Sequence, residues 1–148
     1  MNLFGVMEVS GSALKAERIR AEVVAANMAN AETTRTAAGG PYRRQHVVFT
    51  SEARQQSFAD QLVREGGSEE PAIGGVRVSA VVQDAGDPLR RFDPGHPDAD
   101  REGYVSYPDI NPLTEMVDLM GATRAYGLNT SAIQAEKSMI TASVDILR

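Results

Sequence analysis

The sequence predicts an α+β chain, with long N- and C-terminal helices forming a coiled-coil-like α domain around a small β-rich insert. Three observations carry this. Apolar residues recur every seventh position at both ends, most of the glycine and all of the proline fall between them, and the apolar residues of that middle stretch alternate. The expected units are an N-terminal helical segment over 1–35, a β-rich segment over 36–111 and a C-terminal heptad helix over 112–148.

In the first segment Met7, Leu14, Ala21 and Met28 keep the seven-residue spacing, with Leu3 and Val24 offset by three or four. Val9, Ala16, Ile19, Val23 and Ala26 widen the apolar face. Ser10 and Glu17 interrupt the stripe, and Gly11 lowers helix propensity by about 1 kcal/mol relative to Ala. The predicted helix runs from Leu3 to about Ala31. It ends in Asn27, Asn30, Thr33 and Thr34, residues whose short polar side chains compete for backbone groups and disfavour a helix interior. That ending either terminates the helix within the chain or offers amides and hydroxyls across a subunit contact; the residues leave both open.

Short strand candidates follow in the middle: Val47–Phe49, Val76–Asp84, Pro88–Asp93 and Gly103–Pro108. The stretch near 54–75 is polar and glycine-punctuated, which predicts a mobile loop. From Pro112 the helical period returns in stronger form. Leu119, Tyr126, Ile133, Ile140 and Leu147 hold an unbroken seven-residue spacing, beside a second row of Ala125, Ala132, Met139 and Ile146. Asn111 is placed to cap this helix, Pro112 to occupy its first position and Glu115 its first turn.

Several function classes are excluded by composition. A formal net charge of −5, with Lys and Arg scattered among acids, provides no basic face for nucleic acid. With no cysteine there is no disulfide framework and no thiolate metal site. No apolar run reaches the roughly 18 residues of a membrane-spanning helix. No basic n-region followed by an apolar core opens the chain, so no cleaved secretory signal is expected. His46 and His96 stand in segments of different character with no nucleophile elbow nearby, and no phosphate-binding glycine loop or HExxH is present, so no enzyme, catalytic residue or cofactor is expected.

One metal motif is worth weighing. Asp98–Asp109 places Asp98, Asp100 and Glu102 ahead of Gly103 and the apolar Val105, as an EF-hand calcium loop does. The last position carries Asp109 rather than a bidentate Glu, and two prolines occupy the approach where a helix is needed. The favoured reading is an acidic turn leading into a strand. A calcium-binding module with coiled-coil termini is the alternative.

The opening SGSALKAERIRAEVVAANMANAETT closely resembles the N-terminal signature of the flagellar axial proteins, in which a helix ends in an ANxxN-like, threonine-bearing motif. Further motifs occur in order: PYRRQHVVF, GGVRVSAVVQD, DPGHPDAD and GYVSYPDINPLTEMVDLMGATRAYGLN. Together they resemble the flagellar basal-body rod proteins, their proximal-rod subunits above all. Two positions depart from the pattern: Gly127 replaces a longer polar residue, and the 54–75 loop is longer and more polar.

The resemblance implies a structural subunit of the bacterial flagellar basal-body proximal rod, self-assembling helically with other rod proteins to transmit motor torque. The partners it implies are copies of the chain, other rod proteins and neighbouring export-apparatus or MS-ring components, without nucleic acid or membrane insertion. It implies a periplasm-spanning location reached through the flagellar type III apparatus. Expected subunit-interface residues are Met7, Leu14, Ala21, Asn27, Met28, Asn30, Thr33, Leu119, Tyr126, Asn129, Ile133, Ile140 and Leu147.

Overall fold

The computed structural model describes residues 3–52 and 74–146. Six elements follow in order: α1 (Leu3–Ala29), β1 (Gln45–Glu52), β2 (Gly75–Gln83), β3 (Leu89–Phe92), β4 (Tyr104–Tyr107) and α2 (Pro112–Ile146). The chain is α+β, as expected. The predicted loop near 54–75, apart from Gly74 and Gly75, lies outside the described residues, as do Leu147 and Arg148.

Helix α2 starts as its sequence dictates. The Asn111 side chain accepts the Leu113 N–H at 3.0 Å, satisfying an otherwise orphaned donor of the first turn, and its carbonyl accepts the Glu115 N–H at 3.1 Å as the first bond of the helix. The helix continues through Gly121 and Gly127 without a break. Its interior hydroxyls bond back into their own helix: Thr130, Ser131, Ser138, Thr141 and Ser143 each donate to the carbonyl four residues earlier at 2.9–3.0 Å. Thr123 does the same to Leu119.

Helices α1 and α2 pack against each other. Asn27 meets Glu115 and Arg20 meets Asp118, so a step back along α1 matches a step forward along α2 and the pair is antiparallel. The contact line differs from the expected apolar seams. In α2 its buried positions are Glu115, Ala122 and Glu136, with Asn129 half-buried between the last two. In α1 they include Ser10, Ala16, Val24 and Asn27, with Glu17 half-buried in the same row. Met7, Leu14, Ala21, Met28, Leu119, Ile133 and Ile140 are half-buried flanks, and Tyr126 is exposed. Two things separate this line from an apolar seam: Ser10, Ala16 and Ala122 on it are small, and Asn27 and Glu115 are buried by bonding to each other, while larger apolar residues flank it. Ser10 and Glu17, which read as interruptions, belong to that line.

The middle segment forms two separate two-stranded antiparallel sheets, β1 with β2 and β3 with β4. In the first, Val48 pairs with Ala80 and Phe49 with Val78, so Ser79 is bulged out and its hydroxyl donates to the Val48 carbonyl at 3.0 Å. This sheet lies against α1. Ser12 fixes it there, donating to its own helix at Val9 (2.7 Å) while accepting the Val76 N–H (3.0 Å). The backbone comes so close at Gly75 that a Cβ would stand 2.5 Å from the Ser12 hydroxyl oxygen. In the second sheet Phe92 and Tyr104 meet edge-on at 5.3 Å, and the Arg90 and Arg91 guanidinium groups lie over Tyr104 and Tyr107 at 4.9 and 4.1 Å. Among the described residues the buried apolar core is small: Ala16, Val24, Val105, Ile110 and Ala122.

Candidate functional site: a polar clasp and two helix faces

The asparagine-rich end of α1 is the junction of the molecule. Asn27 is fully buried, and both ends of its amide are engaged. Its nitrogen donates to the Gln45 carbonyl (2.9 Å) and to Glu115 Oε2 (3.0 Å). Its oxygen accepts the Gln45 N–H (2.9 Å) and the Tyr42 hydroxyl (3.2 Å). One side chain therefore joins α1 to the first residue of β1, to the segment before it and to the first turn of α2. An amide suits this position because it offers two N–H donors and a two-lone-pair acceptor on separate atoms, whereas a carboxylate only accepts and a hydroxyl has a single proton to donate.

Glu115 is 1% exposed, and Arg44 accompanies it with both Nε and Nη2 at 2.5 Å from Oε1. Arg44 Nη2 also lies 3.7 Å from Asp118, which takes a second cation, Arg20, at 3.4 Å. A buried carboxylate is tolerated only when paired and hydrogen-bonded, and both oxygens of Glu115 are. Burial raises the Tyr42 hydroxyl above its ordinary pKa, and the nearby Glu115 charge adds to the rise.

The rest of the motif ties the chain into a compact connection. Asn30 donates to the Ala26 carbonyl (2.9 Å), closing the helix end, and accepts the Thr33 hydroxyl (3.2 Å). The Thr33 carbonyl accepts the Tyr42 N–H at 3.0 Å. Thr34 donates to Asp98 (2.8 Å), and Arg35 stands 3.6 Å from the same carboxylate. Asn129 donates to the Ala125 carbonyl of its own helix at 2.9 Å.

The acids of the 98–109 stretch turn to separate partners. Asp98 faces Thr34 and Arg35. Asp100 Oδ1 accepts the N–H groups of Glu102 and Tyr104, each at 2.9 Å, and Oδ2 accepts from Arg90 at 2.8 Å. Those bonds, led by the Tyr104 N–H, hold the Asp100 carboxyl below its usual pKa. Gly103 takes φ 82°, where a Cβ would press within 2.9 Å of the Phe92 ring. This is an acidic turn entering β4. Asp84 is likewise lowered, first by the Gly86 N–H and then by His46.

The sequence left Asn27, Asn30 and Thr33 open between helix termination and a subunit contact; in the structure their side chains bond within the chain, and sequence reasoning missed their surroundings, Tyr42, Arg44, Gln45, Arg20 and Asp118. Arg44 sits in a run without periodicity, and the only available signal was an acid in the first turn of α2. Outside the clasp, α2 carries large apolar residues that face away from α1: Leu113, Met116, Val117, Met120 and Leu128 are exposed. No helix among the described residues is long and apolar enough to cross a membrane.

Two terminal helices joined by a buried polar clasp, with an apolar face turned outward and a small core, describe a structural subunit of an assembly. Residues 7–35 match the family described as flagella basal body rod protein, and residues 101–146 match the flagellar basal body rod FlgEFG protein C-terminal family. Both matched segments contain clasp residues. The chain is 40% identical to the flagellar basal-body rod protein FlgC of Bacillus subtilis over 99% of both chains. It is 37% identical to that of Borreliella burgdorferi, over 100% of this chain and 99% of the relative. The Salmonella typhimurium protein of the same name is 34% identical, over 95% and 94%. The chain belongs to the flagellar basal-body rod proteins, and is a structural component of the basal body rather than an enzyme.

Proposed function

We propose that this chain is a proximal-rod subunit whose paired terminal helices build the rod wall by packing laterally and axially on copies of itself and on other rod proteins. The observation that carries this is the outward face of α2, where Leu113, Met116, Val117 and Met120 lie exposed at helical spacing. The hydroxyls along this helix are satisfied by its own carbonyls, so burial against a neighbour leaves few donors stranded. A coiled-coil arrangement with neighbours fits the seven-residue rows, because α1 covers only one side of each. Torque passes through such a wall as shear between packed helices, and the clasp is placed to keep α1, β1 and α2 moving as one body. Export through the flagellar type III apparatus and contacts with the export-apparatus or MS-ring components complete the reading.

The test is complementation. In a strain lacking this chain, Met116→Asp with Met120→Asp should be made and exported at native level but absent from purified basal bodies, leaving cells non-motile. Normal rods and swimming would sink the proposal.

A further inference from the structure

The chain has no cysteine, so its sulfur chemistry belongs to methionine alone. Met7 and Met28 are half-buried between the helices, whereas Met116, Met120 and Met139 are exposed, at 48%, 67% and 51%. Two of these three share one surface. At about 100° per residue, Leu113, Met116, Val117 and Met120 fall within an arc of about 100° on α2, on the side opposite the buried Glu115 and Ala122. Met116 and Met120 stand one turn apart within that patch, and Met139 lies ~28 Å beyond Met120 along the helix.

We propose that Met116 and Met120 form an oxidation-sensitive site, at which hydrogen peroxide converts the unassembled chain to a form excluded from assembly. The thioether sulfur attacks one peroxide oxygen. An S–O bond forms as the O–O bond breaks, the departing hydroxide takes the proton of the transferred oxygen and leaves as water, and sulfur gives up the two electrons that the peroxide accepts. Exposure decides when this happens: the thioethers are open to the oxidant in the free chain and shielded once a neighbour covers α2. Position decides what it does. A sulfoxide is polar and demands a hydrogen bond, and here it would be pressed into a patch otherwise made of Leu113 and Val117. Methionine sulfoxide reductases reverse the change, so the exclusion is a reversible state of the subunit. The inference rests on the outward face of α2 being an assembly face, and adds a modification and its consequence to that reading.

The test uses the full chain in a strain without methionine sulfoxide reductases, with a second rod protein withheld so that the chain accumulates. A peroxide pulse is quenched with catalase and the missing rod protein is then induced. Sulfoxide at each methionine is measured by mass spectrometry in two pools, chain exported but not assembled and chain in purified basal bodies. An unpartnered buried polar group disfavours association by about tenfold or more, so sulfoxide at residues 116 and 120 should be depleted by about that factor in the basal bodies. Met116→Leu with Met120→Leu keeps the apolar bulk and removes the sulfur, so rod yield after the pulse should recover, while Met139→Leu should leave the chain as sensitive as before. Equal sulfoxide fractions in the two pools, thioethers at 116 and 120 left reduced by the pulse, or equal recovery from Met139→Leu overturns the oxidation-sensitive site while the rod reading stands. Absence of the native chain from the basal bodies of untreated cells overturns the rod reading itself.

Discussion

Replacing Asn27 by alanine removes a side chain that ties α1 to β1, to the Tyr42 segment and to α2 at once. Four hydrogen bonds are lost, two of them to the Gln45 backbone, one from Tyr42 and one to Glu115. A net hydrogen bond is worth about 0.5–1.5 kcal/mol, and a buried partner left unsatisfied costs about 1–3 kcal/mol. Tyr42 is only partly buried and finds water, so the serious losses are at Gln45 and at Glu115 Oε2. The expected destabilisation is about 3–5 kcal/mol, a large part of the roughly 5–15 kcal/mol that holds a domain together. Asn27→Asp should be worse than Asn27→Ala at neutral pH, because a second carboxylate would face Glu115 where the amide now donates at 3.0 Å. The assay is urea unfolding of the purified chain followed by circular dichroism, with Asn129→Ala as the comparison, since that amide bonds only within its own helix. A loss under about 1 kcal/mol for Asn27→Ala, or an Asn27→Asp variant as stable as the native chain, refutes the clasp.

Other consequences are equally accessible. Glu136 is 4% exposed and neither carboxylate oxygen has a hydrogen-bond partner, so Glu136→Leu should stabilise the isolated chain by about 1–3 kcal/mol, read as a rise in Tm; a fall would show that the carboxylate is compensated. Gly75→Ala should cost about 1–3 kcal/mol by driving a methyl into Ser12, and adding Ser12→Ala should recover part of it; strictly additive losses in urea unfolding would exclude the clash. Asp100 has a lowered folded pKa, so its contribution is present above the ordinary carboxylate value of about 3.9 and is lost as pH falls through the lower folded value. Amide exchange at Glu102 and Tyr104 should therefore accelerate selectively on acidification below that value, and unchanged protection would contradict the turn.

Much of the architecture was legible because its signals are local. Asn111, Pro112 and Glu115 announce the start of α2 by capping chemistry, and alternation marked all four strands to within a few residues. The contact line between the helices was harder to see. Periodicity finds rows of large apolar residues, but the closest approach uses Ser10, Ala16, Ala122 and Glu115, whose small size or buried pairing matters more than hydropathy. The clasp was legible only as an unexplained choice of Asn27 for a helix end. Its partners Tyr42, Arg44 and Gln45 are set by the path of the chain after α1, and no repeat encodes that path. The acidic 98–109 stretch had the acid spacing of a calcium loop, yet Asp98 and Asp100 turn to different partners, because the prolines before them keep a helix from forming there.

The most direct measurement is a cryo-EM map of intact basal bodies at side-chain resolution. The predicted result is this chain in the rod wall with α1 and α2 antiparallel, Asn27 and Arg44 closed on Glu115, and Met116 and Met120 covered by a neighbouring helix. A rod in which this chain's α2 turns that face to solvent, or in which the two helices are parted at Asn27, would contradict the account.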